Sequence, residues 1–198
     1  MQCVEADIIL DSFCYRCYRK LSNYGIKSMN TSQYLHQAWG EASRLYQLAR
    51  VNSERTLQAI LYSQLVAILP PKACVLCEPT IKVPDSDAVI PDLVVVMNNA
   101  ITAVVEIKFV PHGYPIYKKD INKLRTYGCT KSAFQLILEP HTGKYLNKYF
   151  TFSKDCLLVF AVIARHDSAA VDEKALNEQM RRFADRFVLL VYPVNNQA

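Results

Sequence analysis

Three ionisable residues, Asp92, Glu106 and Lys108, interrupt a stretch of the sequence that is otherwise apolar. Residues 89–109 are mainly β-branched and aliphatic on both sides of an Asn-Asn turn signal, a pattern typical of a β-hairpin. Charged groups in an apolar hairpin are costly unless they are paired or bind a metal ion. Two carboxylates and an amine in this setting therefore predict a hydrolytic metal site.

The register of the hairpin decides whether these groups meet. A turn of three residues (98–100) places Asp92 directly opposite Glu106, with their Cβ atoms about 4.5–5.5 Å apart. Lys108 then shares the face of Glu106, because side chains alternate along a strand. A two-residue turn would place Glu106 opposite Pro91 and on the wrong face. We therefore predict an odd-length turn, with a divalent cation relieving the repulsion between the carboxylates.

The spacing of the charged residues matches a known pattern. Pro91-Asp92, followed after thirteen intervening residues by Glu106-Ile107-Lys108, resembles the PD-(D/E)XK nuclease superfamily. The resemblance covers roughly residues 53–139. It implies a restriction-endonuclease-like α/β fold: a three-layer αβα sandwich with a central mixed β-sheet. The apolar character of both hairpin faces independently predicts a sheet covered by helices on both sides.

The resemblance also implies roles for the site residues. Asp92 and Glu106 would ligate Mg²⁺, or Mn²⁺ as a substitute, with the Ile107 backbone carbonyl completing the set. Lys108 would orient or deprotonate the attacking water and neutralise developing charge. Glu54, on the preceding helix, would hold a second ion or a bridging water.

Glu54 has an alternative explanation. The pattern of residues 54–69 predicts a helix after Asn52-Ser53, and an acid in the first turn is favoured by the helix dipole without any catalytic role. Both interpretations remain open from the sequence.

The most basic short segment is a predicted helix over residues 118–127, closed by Gly128. Exonuclease-like members of the superfamily carry a QxxxY motif on the corresponding helix, whereas the matching positions here are Lys123 and Tyr127. Five residues are expected to contact nucleic acid: Lys118, Lys119, Lys123, Arg125 and Tyr127. A solvated basic face is the alternative.

Length and composition place few limits on function. A chain of 198 residues fits one domain, with residues 1–52 as a helical N-terminal addition and 53–198 as the nuclease-like core. The net charge of +5 permits a polyanionic partner without demanding one. No apolar run reaches membrane-spanning length and the N-terminus lacks a signal-peptide pattern, so a cytoplasmic location is expected. The seven cysteines, including the pairs Cys14/Cys17 and Cys74/Cys77, are interpreted as free and mainly buried thiols, with a metal–thiolate site as the alternative.

The remaining segments complete an alternation of helices and strands. The predicted helices cover residues 4–22, about 31–50, and 171–186, and the predicted strands cover 73–84 (broken at Glu78-Pro79), 132–138, 156–165 and 187–193.

The sequence therefore predicts a metal-dependent nuclease that hydrolyses phosphodiester bonds, with DNA as the expected substrate. A homodimer is consistent with the resemblance, since endonucleases of this fold often pair to cut both strands. The alternative is a catalytically inactive nucleic-acid-binding or assembly module that retains the fold.

Overall fold

The computed structural model describes residues 30–82, 89–112, 116–130, 134–138, 146–164 and 171–193. The chain divides at Asn30 into two units, and the structure below belongs to the second, Thr31–Ala198. The helix predicted over residues 4–22 and the Cys14/Cys17 pair lie outside the described residues. The predicted organisation as one domain with an addition over residues 1–52 stays a prediction, although residues 31–52 fall in the same unit as the predicted core.

Helices and strands alternate along this unit. The helices are α1 (Thr31–Gln47), α2 (Glu54–Ile68), α3 (Lys118–Cys129) and α4 (Glu173–Gln179), followed by a 3-10 turn (Arg181–Phe183). The strands are β1 (Cys74–Cys77), β2 (Thr80–Lys82), β3 (Leu93–Met97), β4 (Ala100–Val110), β5 (Phe134–Leu138), β6 (Leu146–Ala164) and β7 (Phe187–Pro193).

A mixed sheet runs in the order β1-β3-β4-β6-β7. The β1–β3 and β3–β4 pairs are antiparallel, whereas β4–β6 and β6–β7 are parallel. Strand β6 is long enough to pair with a third strand as well, because its first residues pair with β5, and β5 in turn pairs with β2. Parallel pairing at the centre requires helical connections, which cover the sheet.

Helices lie on both faces of this sheet. Alternate strand residues such as Val94, Val104 and Phe160 form one core with Leu124 of α3. The intervening residues, including Leu93, are also fully buried, and α2 contacts β1 and β4. The predicted α/β class, with a mixed sheet between layers of helices, is confirmed.

The start of α2 follows the prediction. Ser53 is its N-cap, and the hydroxyl of Ser53 accepts a hydrogen bond from the backbone N–H of Thr56 at 3.1 Å. Leu57, Leu61 and Leu65 recur at four-residue spacing and are buried, so the helix presents one apolar stripe to its neighbours.

The hairpin turn differs from the prediction. Met97 pairs with Ala100, so the turn has two residues, and Asn98 and Asn99 both have positive φ values of 51° and 60°. Positive φ at both central positions is characteristic of the type I′ turn, which matches the twist of the flanking strands and favours Asn. The predicted odd-length turn is therefore wrong.

A β-bulge restores the predicted register. The pairing shifts by one residue between Val95, which pairs with Ala103, and Val96, which pairs with Ile101. Beyond the bulge Leu93 pairs with Val105, so continuing this register by one residue brings Asp92 to Glu106. The extra residue in β4 compensates for the shorter turn, which is what a bulge does in an antiparallel pair.

Some other details differ from the sequence predictions. Gly128 lies inside the last turn of α3 instead of closing the helix, and a Cβ atom at this position would lie 2.8 Å from Leu158 and Phe183. Gly128 is thus required for close packing. Cys74 and Cys77 are exposed, not buried. Within the described segments, no helix is both long and apolar enough to traverse a bilayer.

Candidate active site

Asp92 is held in place immediately before β3. Its backbone carbonyl accepts hydrogen bonds from the backbone N–H of Glu78 and from Nε2 of Gln58, both at 3.0 Å. Its carboxylate oxygen Oδ2 accepts a hydrogen bond from the backbone N–H of Ile107 at 2.5 Å. These contacts tie Asp92 to α2, to the end of β1 and to β4, so its carboxylate has little freedom to move.

Glu106 is a buried acid in the middle of the sheet. Its side chain is 1% exposed, and its oxygen Oε2 accepts a hydrogen bond from Nζ of Lys123 at 2.8 Å. The other oxygen, Oε1, is buried and has no hydrogen-bond partner among the described residues. Buried carboxylate oxygens are rarely left unpaired, so Oε1 is a candidate donor to a bound cation.

The two acids are poorly compensated electrostatically. Burial raises the pKa of Glu106 to about 8, and the charge of Asp92 adds to this effect more than the Lys123 hydrogen bond opposes it. Burial likewise raises the pKa of Asp92 to about 6, against the hydrogen bond from Ile107. Two acids whose charged forms are both disfavoured form a site that gains stability from an added cation.

Lys123 supplies the compensation that exists. Besides its bond to Glu106, the Lys123 ammonium donates to the backbone carbonyl of Ile90 at 3.2 Å. Burial lowers the pKa of Lys123, but its bond to Glu106 and the charge of Asp92 raise it by more, so the side chain remains protonated. Lys123 is not fully solvated, because its ammonium points at the acid pair, and its expected contact with nucleic acid stays a prediction.

Lys108 belongs to a second ionic cluster at the edge of the site. Its Nζ lies 3.5 Å from Oδ2 of Asp120 and 3.9 Å from Oε2 of Glu54. The same oxygen of Glu54 accepts the backbone N–H of Phe109 at 3.2 Å. Besides burial, the charge of Glu54 raises the pKa of Asp92, so Glu54 lies near the acid pair. Within the described part of the chain, Lys108 forms no ion pair with Asp92 or Glu106.

Sequence reasoning missed Asp120. It lies in the first turn of α3, where an acid is explained by the helix dipole, yet it is 8% exposed. Its charge raises the pKa values of both Asp92 and Glu106. The available signal was its position three residues before Lys123 and one before the buried Ile121, on the inner side of the helix.

Tyr127 cannot contact nucleic acid. The side chain is fully buried, and its ring stacks on that of Phe152 with centroids 6.3 Å apart. Its hydroxyl has no hydrogen-bond partner within the described residues, and burial raises its pKa. The predicted role of Tyr127 at a nucleic-acid surface is wrong, because the four-residue spacing from Lys123 continues the inner face of α3.

A basic groove runs beside the acid pair. It has a volume of about 540 Å³ and is lined by Val89, Ile116, Lys118, Lys119, Asn122, Lys123 and Thr126. Lys118 and Lys119 are exposed in this groove, as predicted for residues that contact phosphates. Arg125 is also exposed but does not line the groove.

The acid pair fits a magnesium or manganese ion that keeps water ligands. No group of three or more His, Cys, Asp or Glu side chains in the described segments is placed to hold a metal ion. Mg²⁺ requires less, since it is often bound by one or two carboxylates with waters and substrate phosphates. The partnerless Oε1 of Glu106, beside the Asp92 carboxylate, matches that donor set. The ligand roles of the Ile107 carbonyl and of Glu54 stay predictions.

Comparison with known proteins adds a fold-level likeness. The sequence matches no protein-family model and no curated protein. It is similar to the solved structure of NucC from P. aeruginosa ATCC27853 in its cAAA-bound form, with 12% identity and a TM-score of 0.40. The alignment covers 81% of this chain and 75% of that chain. Similarity at this level establishes neither a family nor an activity for the present protein.

Proposed function

We propose that this protein is a divalent-cation-dependent nuclease that hydrolyses phosphodiester bonds, with DNA as the expected substrate. One observation carries the proposal: Asp92 and Glu106 meet in a buried position where an oxygen of Glu106 has no partner among the described residues. Uncompensated buried acids destabilise a fold, so their presence beside a basic groove is best explained by a cation used in chemistry on a polyanion.

In this proposal Asp92 and Glu106 would hold Mg²⁺ or Mn²⁺. When bound, such an ion polarises the scissile phosphate and lowers the pKa of a coordinated water. The protein positions its own donors in advance: the Ile107 N–H and the Gln58 side chain hold Asp92, so its carboxylate does not have to reorganise.

Lys108 is the proposed electrophilic residue. Its ammonium lies 3.5 Å from Asp120 and 3.9 Å from Glu54, two acids whose charges also act on Asp92, and in this proposal it contacts an oxygen of the bound phosphate. A positive charge at that position would stabilise the negative charge that develops on the phosphoryl oxygens and orient the attacking water. Asp120 and Glu54 keep the side chain aimed at the site.

The groove provides the proposed substrate path. Lys118 and Lys119 are exposed along it and would contact phosphates on one side of the scissile bond. Contacts of this kind position a strand without reading its sequence, so they imply no base specificity. Homodimerisation remains a prediction.

The test is cleavage by the purified full chain. Linear, circular, single-stranded and branched DNA, with RNA in parallel, would be incubated with Mg²⁺, Mn²⁺ or EDTA. We expect cleavage only with the ions, and a loss of more than about 100-fold for Asp92→Asn and for Lys108→Met. Lys174→Met, an exposed change on α4, is the control. Wild-type rates from a folded Asp92→Asn protein, or cleavage in EDTA, would refute the proposal.

A non-catalytic nucleic-acid-binding module is the second candidate, and one observation favours it. Both lysines near the acids are already in ion pairs, Lys123 with Glu106 and Lys108 with Asp120, so the cluster is partly neutralised internally. This candidate predicts that wild-type protein binds oligonucleotides in Mg²⁺ or Mn²⁺ without cutting any of the substrates.

A further inference from the structure

We propose that Lys123 is a tethered cation that occupies the acid pair in the ion-free protein and competes with the divalent cation for Glu106. The inference rests on the proposed function, because it assumes that Asp92 and Glu106 bind a divalent ion. It assigns to Lys123 a regulatory role that neither a surface contact nor a structural salt bridge would have.

Lys123 already forms an ion pair with Glu106 in the ion-free protein. The Lys123 ammonium is 2.8 Å from Oε2 of Glu106, and its second bond is to the backbone carbonyl of Ile90, at the entry to the Asp92 segment. Lys123 therefore holds one oxygen, Oε2, of the same carboxylate whose other oxygen, Oε1, would bind the divalent ion. Two cations sharing one carboxylate repel each other, so occupancy by one opposes occupancy by the other.

Leaving the pair of Asp92 and Glu106 without any cation would destabilise the fold. Glu106 is 1% exposed and lies beside Asp92, so an uncompensated charge at this position would be expensive to bury. Because Lys123 is attached to α3, its positive charge stays near Glu106 whatever the concentration of free ions. A fold that must persist both with and without a bound ion benefits from such a substitute.

The Lys123 ammonium has a second position available to it. It also lines the basic groove of about 540 Å³ together with Lys118 and Lys119. The side chain is only partly buried, and a flexible four-carbon stem allows the ammonium to turn from the acid pair to the groove without moving the helix. Displaced by an ion, Lys123 would add a third positive charge beside the path proposed for the phosphates.

Calorimetric titration of Mn²⁺ into the full chain tests the competition directly. We expect Lys123→Met to bind Mn²⁺ about tenfold more tightly than wild type, because in the variant no lysine has to be displaced from Glu106 before the ion binds. Lys174→Met is the control: it removes an equal charge from an exposed position on α4 and frees no oxygen of Glu106. Its Mn²⁺ affinity should change by no more than about threefold.

Thermal unfolding supplies a readout that requires no activity. In EDTA at about pH 8.5, above the pKa of Glu106, Lys123→Met should lower the Tm by about 4 °C, and Mn²⁺ should restore it. In a Glu106→Gln background the same substitution should have little effect, since no buried charge remains to be compensated. If Lys123→Met proves too unstable to study, Lys123→Gln keeps a donor to Glu106 without the charge.

The outcomes separate this inference from the proposed function. If wild type binds Mn²⁺ and Lys123→Met binds it no more tightly, the competition is overturned while the nuclease proposal stands. If Lys123→Met binds more tightly but no protein cleaves nucleic acid, the competition stands and the nuclease proposal fails. If neither wild type nor Lys123→Met binds Mn²⁺, both are overturned.

Discussion

The ammonium of Lys123 lies 2.8 Å from a carboxylate oxygen of Glu106 and joins helix α3 to the central strand β4. A glutamine at position 123 could donate the same hydrogen bond but would bring no charge. A lysine there changes the electrostatics of the acid pair, because it offsets part of the charge that burial penalises.

Stability of the ion-free protein should fall as pH rises from about 6 to 8. The pKa of Glu106 is about 8 in the folded protein against 4.5 ordinarily, so the folded state binds the extra proton across this window. More protons in the folded state mean that the free energy of unfolding decreases with pH, here by about 2 kcal/mol. Urea unfolding at pH 6, 7 and 8 in EDTA measures this loss.

Glu106→Gln is the control for that pH dependence, since it cannot ionise. The slope between pH 6 and 8 should flatten in this variant. Equal slopes in wild type and Glu106→Gln would show that Glu106 is already ionised at pH 6 in the folded protein.

Asp120→Asn should lower the pKa of Glu106 below its value of about 8. Asp120 is one of the negative neighbours that raise the pKa values of Glu106 and Asp92, and the substitution removes its charge while preserving its shape. Carboxyl-carbon NMR titration measures the change. The substitution should lower the free energy of unfolding by about 1 kcal/mol or less, because the Lys108 ammonium still has Glu54 as an ion-pair partner.

Asp155→Asn, an exposed change on β6, should leave the pKa of Glu106 where it is in wild type. A pKa of Glu106 that is unchanged or higher in Asp120→Asn would contradict the electrostatic arrangement of the site.

Tyr127→Phe should be neutral or stabilising, by up to about 2 kcal/mol. The Tyr127 hydroxyl is buried with no hydrogen-bond partner among the described residues, so its removal relieves a desolvation cost. Tyr127→Ala should instead cost about 3–5 kcal/mol, because it leaves a cavity against Phe152. Urea unfolding measures both changes. A loss above about 1 kcal/mol in Tyr127→Phe would mean that the hydroxyl has a bonded partner.

Lys119→Gln should reduce the salt dependence of oligonucleotide binding more than Arg125→Gln does. Both residues are exposed on α3, and each substitution removes one positive charge, but only Lys119 lines the groove. For a single strand, losing one phosphate contact lowers the slope of log K against log salt by about 0.7. Fluorescence anisotropy between 50 and 200 mM KCl, about the range where such slopes are linear, measures it in EDTA. Equal slopes in the two variants would exclude the groove as the binding path.

The local elements were predictable because short-range patterns determine them. The stripe of Leu57, Leu61 and Leu65 predicted α2, Ser53 its first turn, and the apolar runs around the Asn-Asn pair the β3–β4 hairpin. The cost of placing Asp92 and Glu106 in that hairpin located the acid pair, since this cost depends only on residue type and burial.

The sequence alone therefore determined which acids must meet, and tertiary structure decided which cation meets them. The burial of Asp120 and Tyr127 and the turn of Lys123 towards Glu106 depend on how α3 packs across the sheet, and the bulge that corrects the register belongs to the pairing of β3 with β4. The sequence of a basic helix does not show whether its lysines face solvent or a buried carboxylate. The direction of each lysine side chain is determined only when packing brings two distant segments together. Electrostatic and desolvation energies depend on the distances between groups and not on their order in the chain.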